Sequence, residues 1–258
     1  MTFLHTLLEE GKNPFKGNRL ELDKAAQFVA KECRQSLNAA PIYTSGDGRF
    51  DAFLVHPSTR KPVSVLEILI DDVLESWSTY PNRTKSLIGS GQPSTFRVFP
   101  VDGANVAYTQ KPTFADAFQH IQHQFGNVDI EMRNLMQIIA NTYNMKMGNR
   151  KPVEVPENLS GPKMKEFFKM SDEIWASPKH RNVRRLLDQA GADESVRERL
   201  NALLELGERK IGTGIEHRFD PKSRDVNVTT IDKFPSGMGE AWTDAPAVLV
   251  RTDKLGEL

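Results

Sequence analysis

The sequence predicts an α+β protein with a mostly antiparallel sheet, and three observations carry that reading. Short apolar or alternating runs bounded by Gly, Pro and Asp recur at 41–46, 50–57, 86–91 and 96–109, and again at 224–234 and 246–252. Such runs are the mark of strands and turns. Helical periodicity is confined to separate stretches, so the coarse order is helix, strands, helix, strands, helices, strands, and segregation of this kind favours α+β over a doubly wound parallel sheet. No G-x-G-x-x-G joins a strand to a helix, which excludes a Rossmann dinucleotide site.

Taken in order, residues 19–37 place Leu22, Ala25, Ala26, Val29, Ala30 and Cys33 on one stripe at helical spacing, with Phe28 beside it, which predicts an N-terminal helix. Cys33 on that stripe reads as a buried, inert thiol. PIYTSG (41–46) and FDAFLVHP (50–57) follow as strands. Residues 63–80 read as a helix with Leu66, Leu69, Ile70, Val73, Leu74 and Trp77 inward. SLIGSG (86–91) and FRVFPVDGANVAYT (96–109) return to strand texture, and 113–147 reads as helical with a break at Gly126. Lys151 to Pro162 holds three prolines and a glycine and reads as a linker. Residues 163–209 are helical and charged, with breaks at Pro178 and Gly191 and an acidic cap on the last helix. The tail gives RDVNVTTIDKF (224–234), a glycine-rich turn SGMGE (236–240) and PAVLVRT (246–252).

A chain of 258 residues fits one large domain, or one domain carrying a helical insertion over 163–209. Thirty-four basic residues balance thirty-four acidic ones, which argues against a dedicated nucleic-acid binder, since displacing counterions from phosphates needs a basic surplus. No stretch approaches the roughly 18 to 20 apolar residues needed to span a bilayer, and the first residues lack the long apolar run of a signal peptide. Cys33 stands alone, excluding an internal disulfide and a cysteine-built zinc site. These features lead us to expect a soluble chain kept in a reducing cytoplasm. No internal repeat or low-complexity tract is present.

Most candidate chemistry reads as ordinary surface. His120 and His123 sit three apart on a helix but lack a matching third metal ligand, so an exposed polar face is the better account. H-E-x-x-H, G-x-S-x-G and G-x-x-x-x-G-K-[ST] are all missing. Asp71 and Asp72 point in neighbouring directions from a helix, which suits solvent better than a shared proton. Arg181, Arg184 and Arg185 alternate with Leu186, Leu187 and Asp188 and read as a solvated helical hairpin. Two places stand out. In WSTYPNRTKSLIGSG (77–91), Arg83 leads into a strand ending Gly89-Ser90-Gly91, where a guanidinium fork and close-approaching backbone donors suit a phosphate; a β-turn with a surface arginine is the plainer alternative. In GMGEAWTDAPAVLV (237–250), Glu240 and Trp242 precede a strongly apolar strand, so Glu240 is either an exposed catalytic carboxylate or an edge charge.

In order, these segments resemble the ADP-ribosyltransferase fold, particularly its divergent bacteriophage-encoded members. Pro41 to Gly46 resembles the I-Y-R-G first core strand of that family, and Phe50 to Val65 is similar to the h-P-x-x-R-K-P stretch of the phage versions. Arg83 to Gly91 looks like the aromatic-x-S-T-S strand, Phe96 to Val106 like the following strand with its F-P element, and Gly239 to Trp242 like the strand of the Q/E-x-E motif. The resemblance spans about three quarters of the chain. It implies split, mostly antiparallel β-sheets with an N-terminal helix and a helical insertion, and a site that cleaves NAD, used as a substrate. On this basis Glu240 and Ser90 are the catalytic candidates, and Arg83, Tyr43, Thr44, Arg49 and Trp242 are the cofactor-binding ones. Glu240 polarises the nicotinamide ribose, Ser90 supports it, Arg83 or Arg49 binds phosphate, and Tyr43 or Trp242 stacks near nicotinamide.

The departures from the family pattern matter as much. The arginine that grips the pyrophosphate falls on Thr44, the first serine of S-T-S on Gly89, and the first residue of Q/E-x-E on Met238. Two expectations follow. One is a mono-ADP-ribosyltransferase or NAD glycohydrolase acting on a host target in the bacterial cytoplasm. The other is a catalytically degenerate relative that serves as a virion or interaction protein, with 163–209 as the contact surface for its partner.

Overall fold

The computed structural model describes residues 17–56, 62, 64–109, 128–147, 152–175, 194–208 and 210–258. It divides into two compact units: Met1–Lys61 with Ser78–Ile121 and Asp225–Leu258, and Pro62–Trp77 with Gln122–Arg224. The first unit carries the sheet and the second is helical. The helical unit takes in more of the chain than the 163–209 stretch marked by its charge.

Among the described residues nine strands build the sheet: β1 (Gly17–Leu20), β2 (Ile42–Thr44), β3 (Ala52–Val55), β4 (Leu87–Ser90), β5 (Phe96–Pro100), β6 (Asn105–Thr109), β7 (Val226–Thr230), β8 (Glu240–Thr243) and β9 (Ala247–Arg251). Their order is β1-β3-β9-β5-β2-β4-β8-β6-β7, and every pairing is antiparallel. The α+β class with an antiparallel sheet therefore holds. The strands are joined in one continuous ladder, however, where split sheets were expected.

Alternation along each strand assigns its two faces. One face gathers Val55, Leu249, Val98, Ile42, Leu87, Ala241 and Val106 into a single cluster with Ile231 and Phe234. Seven strands contribute to that one cluster. On the other face Ala52, Phe99, Val248 and Val250 pack against Ala25, Val29 and Cys33. Strand β9 lies between these two layers, which is why AVLV has no polar position: both of its faces are covered.

Helix α1 (Leu22–Glu32) supplies Ala25 and Val29 to the second layer, and α2 (Arg34–Asn38) follows it. The sequence predicts one helix over 19–37. Residues 17–20 instead pair with β3, and the helix breaks at Cys33, whose φ is −129°. Side-chain bonds anchor α2 to the sheet: Ser36 Oγ donates to the Pro100 carbonyl at 2.5 Å, and the Gln35 amide donates to Asp102 Oδ1 at 2.8 Å.

The helical unit contains α3 (Val65–Ile68), α4 (Val128–Met147), α5 (Gly161–Trp175), α6 (Glu194–Leu206) and α7 (Ile211–Arg218). The helix expected over 63–80 is corrected to a short α3, a π turn at Leu69–Val73 and a 3₁₀ turn at Glu75–Trp77. Its apolar periodicity was right, since Leu66, Leu69, Ile70, Val73, Leu74 and Trp77 are all buried. Its length was cut by competing bonds. Ser64 caps the start by accepting from the Glu67 amide at 3.2 Å. The Leu74 amide reaches back to the Leu69 carbonyl at 2.9 Å, and Trp77 Nε1 donates to the Phe219 carbonyl at 2.8 Å. Helix α7 and strand β1 carry no periodic signal in the sequence reading. The breaks expected at Gly126, Pro178 and Gly191 lie outside the described residues. Among the described residues no helix is long and apolar enough to cross a membrane.

Candidate functional site

Three motif strands far apart in sequence become neighbours in the sheet, as β2-β4-β8. Their register is specific: Tyr43 pairs with Ser90, and Ser90 pairs with Glu240. Directly opposed residues of antiparallel strands project from the same face, so Tyr43, Ser90 and Glu240 form a row. The row extends on β5, where Arg97 pairs with Tyr43. Trp242 shares the face, two residues along from Glu240.

Strand β8 starts after a turn in which Gly237 has φ +74°, a left-handed conformation that glycine adopts without a Cβ penalty. The sequence reading takes 236–240 as turn. The structure ends the turn at Gly239 and enters the ladder at Glu240, whose amide donates to Thr109 Oγ1 at 3.0 Å on β6.

Glu240 is 3% exposed and forms an ion pair with Arg83, which is 2% exposed. Arg83 lies on the 3₁₀ turn Arg83–Lys85, just ahead of β4. Its guanidinium carbon also stands 5.0 Å from the centre of the Trp242 ring, a cation–π distance. Trp242 Nε1 donates to the Pro81 carbonyl at 3.1 Å, which satisfies the one polar group of a buried ring. The three side chains thus form a packed unit: carboxylate, guanidinium and indole.

The remaining candidates separate. Ser90 is half-buried, and its Oγ accepts from the Gln92 amide at 3.3 Å. Thr44 is buried on the face opposite to Tyr43, where its hydroxyl donates to the Ile88 carbonyl at 2.9 Å. The position of the family arginine is therefore turned into the sheet core. Arg49 lies on the exposed turn between β2 and β3, ion-paired to Asp47. Hydrogen bonds from Arg49 hold the Asp47 carboxyl below its usual range and raise the guanidinium in turn. Met238 is half-buried and packs against the sheet core. The structure brings together Glu240, Ser90, Tyr43, Arg83 and Trp242, and leaves Thr44 and Arg49 apart from them.

Gly89 has a steric cause. A Cβ at that position would stand 2.5 Å from the Tyr43 carbonyl oxygen and 2.8 Å from Ile42 Cγ2. Strands β2 and β4 approach too closely for the serine that the family pattern has there.

Arg97 escaped the sequence reading. It is half-buried, and its Nη2 donates to the Ser36 carbonyl at 3.2 Å while its guanidinium carbon lies 4.6 Å from the Phe99 ring centre. Burial lowers its pKa, and Tyr43 acts in the opposite direction. The signal was present in FRVFP, a charged residue within an otherwise apolar strand.

Among the described residues no group of three or more His, Cys, Asp or Glu side chains is arranged to hold a metal ion; His120 and His123 lie outside them. Cys33 is buried, and burial, with Asp102 and Glu32 adding to it, pushes its thiol up to about 12. In the helical unit a cavity is lined by Met132, Leu135, Leu203 and Phe219, with Glu131 and Arg218 as its charged positions. Comparison of the chain with protein-family models, curated proteins and solved structures finds no match.

Proposed function

We propose that the chain is a catalytically degenerate relative of the ADP-ribosyltransferases, a protein that works by binding and does not cleave NAD. The adjacency of β2, β4 and β8 supports the kinship, because the resemblance requires those three motifs to meet. The observation that carries the loss of catalysis is the buried Arg83–Glu240 pair. A glutamate that polarises a ribose must reach its substrate, and a guanidinium that grips phosphate must present its fork to it. Here each charge is held by the other beneath the surface. Thr44 and Gly89 add to the reading, since neither position supplies the group the chemistry needs. By the same resemblance the protein acts in a bacterial host cytoplasm or in a phage virion, with a protein as its partner and the helical residues 163–209 as the contact surface.

A second reading, a working mono-ADP-ribosyltransferase or NAD glycohydrolase, draws on one observation. Ser90 stands in direct register with Glu240 and is half-buried, so serine and glutamate are neighbours across the ladder.

Nicotinamide release from NAD separates the two. The purified chain at millimolar NAD is expected to release no nicotinamide above the uncatalysed rate. Release that disappears in Glu240→Gln would overturn the non-catalytic reading and establish the enzyme.

A further inference from the structure

Arg97 is a half-buried cation without a counter-ion: among the described residues no carboxylate pairs with it. Its single hydrogen bond goes from Nη2 to the Ser36 carbonyl, and its buried Nε has no acceptor. A guanidinium carries five N–H donors, so most of its capacity is unused. Partial burial of a charge without a counter-ion carries a desolvation cost, which an anionic ligand would offset. The contrast with Arg83 is direct, since that cation has its own carboxylate in Glu240.

The neighbours of Arg97 in the row are donors too. Tyr43 lies directly opposite it on β2, and Ser90 lies beyond Tyr43 on β4. Arg97, Tyr43 and Ser90 are each half-buried. A guanidinium fork, a phenol and a hydroxyl set side by side match the oxygens of a tetrahedral oxyanion, and charge-assisted bonds of this kind are the strong ones. The Ser90 hydroxyl has only a long bond, at 3.5 Å, to the Gln92 carbonyl, and a carboxylate has too few oxygens to take the fork and both flanking hydroxyls.

We propose that Arg97, Tyr43 and Ser90 form a binding site for a phosphate-bearing small molecule, with Arg97 as its principal anchor. The site goes beyond the non-catalytic reading and does not depend on it, because it uses neither Glu240 nor Arg83.

The test is calorimetric titration and thermal melting of the full chain with inorganic phosphate, inorganic pyrophosphate and ADP, at two ionic strengths. Pyrophosphate or ADP is expected to bind and to raise the Tm, with weaker binding at the higher salt. Tighter binding of ADP than of pyrophosphate identifies a nucleotide as the ligand class, and equal binding identifies the phosphate alone. Arg97→Gln is expected to weaken binding at least tenfold, Tyr43→Phe several-fold, and Arg49→Ala not at all. Without ligand, Arg97→Gln is expected to keep or raise the Tm, because it removes an unpaired cation; a structural arginine would lower it. Should Arg97→Gln fail to fold, Tyr43→Phe carries the test alone. Absence of binding by all three probes, or equal binding in the wild type and the Arg97 or Tyr43 variant, overturns the site. Binding together with nicotinamide release from NAD would overturn the non-catalytic reading and leave this site standing.

Discussion

Ser90 and Glu240 face each other across the β4–β8 ladder, yet their side chains are committed in different directions. The Ser90 hydroxyl accepts from the amide of Gln92 in its own loop, whereas the Glu240 carboxylate is held by Arg83. The register brings serine and glutamate together, and the bonding keeps them from acting on one target. This relation makes the Arg83–Glu240 pair a matter of stability first.

Glu240→Leu or Arg83→Met removes one member of the buried ion pair and leaves the charge of the other in place. Either change is expected to cost about 3–5 kcal/mol. The double variant Arg83→Met/Glu240→Leu is expected to recover much of that loss, since apolar replacement of a whole buried pair is often neutral. Urea unfolding of the four proteins in a double-mutant cycle measures this, and additive losses would contradict it.

Gly89→Ser restores the residue that the family pattern carries and should harm the protein. The added Cβ meets the Tyr43 backbone, which cannot rotate away. A loss of roughly 1–3 kcal/mol, the usual scale of overpacking, is expected, with no gain of NAD cleavage. Thermal melting of the variant beside Ser90→Ala, which removes only an exposed-side hydroxyl contact, provides the comparison.

Cys33 is expected to resist thiol reagents while the chain is folded. Its thiol pKa of about 12 leaves very little thiolate at pH 8, and thiolate is the reactive form. Titration with a chromogenic disulfide should find no fast-reacting thiol in native buffer and one per chain in denaturant.

Asp172 on α5 makes stability depend on pH in the direction opposite to most carboxylates. Burial raises its pKa above 3.8, against the Ile211 amide and Lys210, which lower it, and its Oδ1 is buried with no hydrogen-bond partner. A proton held more tightly in the folded state favours folding below the unfolded value, and that contribution is lost as pH rises through the folded one. Asp172→Asn, which keeps the shape and removes the charge, is therefore expected to raise Tm more at pH 7 than at pH 3.5. Equal shifts at the two pH values would refute this.

The sequence made the sheet legible through its punctuation. Gly, Pro and Asp bound the runs that became β2, β3, β4, β5, β6, β7 and β9, and AVLV stood out as a strongly apolar strand. It concealed elements whose making is tertiary. Residues 17–20 form β1 only because β3 offers an edge, and the helix at 65–68 stops where the Leu69 carbonyl takes the Leu74 amide and the Glu216 carboxylate takes the Glu75 amide. The site was half legible for a related reason. Motif spacing drew attention to Arg83, Ser90 and Glu240, but no local pattern says that Arg83 and Glu240 satisfy one another. Arg97 was overlooked because a lone arginine in a strand has meaning only once its missing counter-ion is known.

The order β3-β9-β5 has a kinetic consequence. Ala52 to Val55 pair with Ala247 to Val250, and the same residues of β9 pair with β5 on their other side. The strand that joins β3 to β5 thus leaves the ribosome only after the whole helical unit has been made. Until then β1 and β3 have no attachment to β5, and the helical unit is itself closed only by residues up to Arg224. Folding dominated by such long-range closures is slow, and it exposes unpaired strand edges to other nascent chains while it waits. The chain should therefore gain from slow synthesis and from chaperones that shield β3.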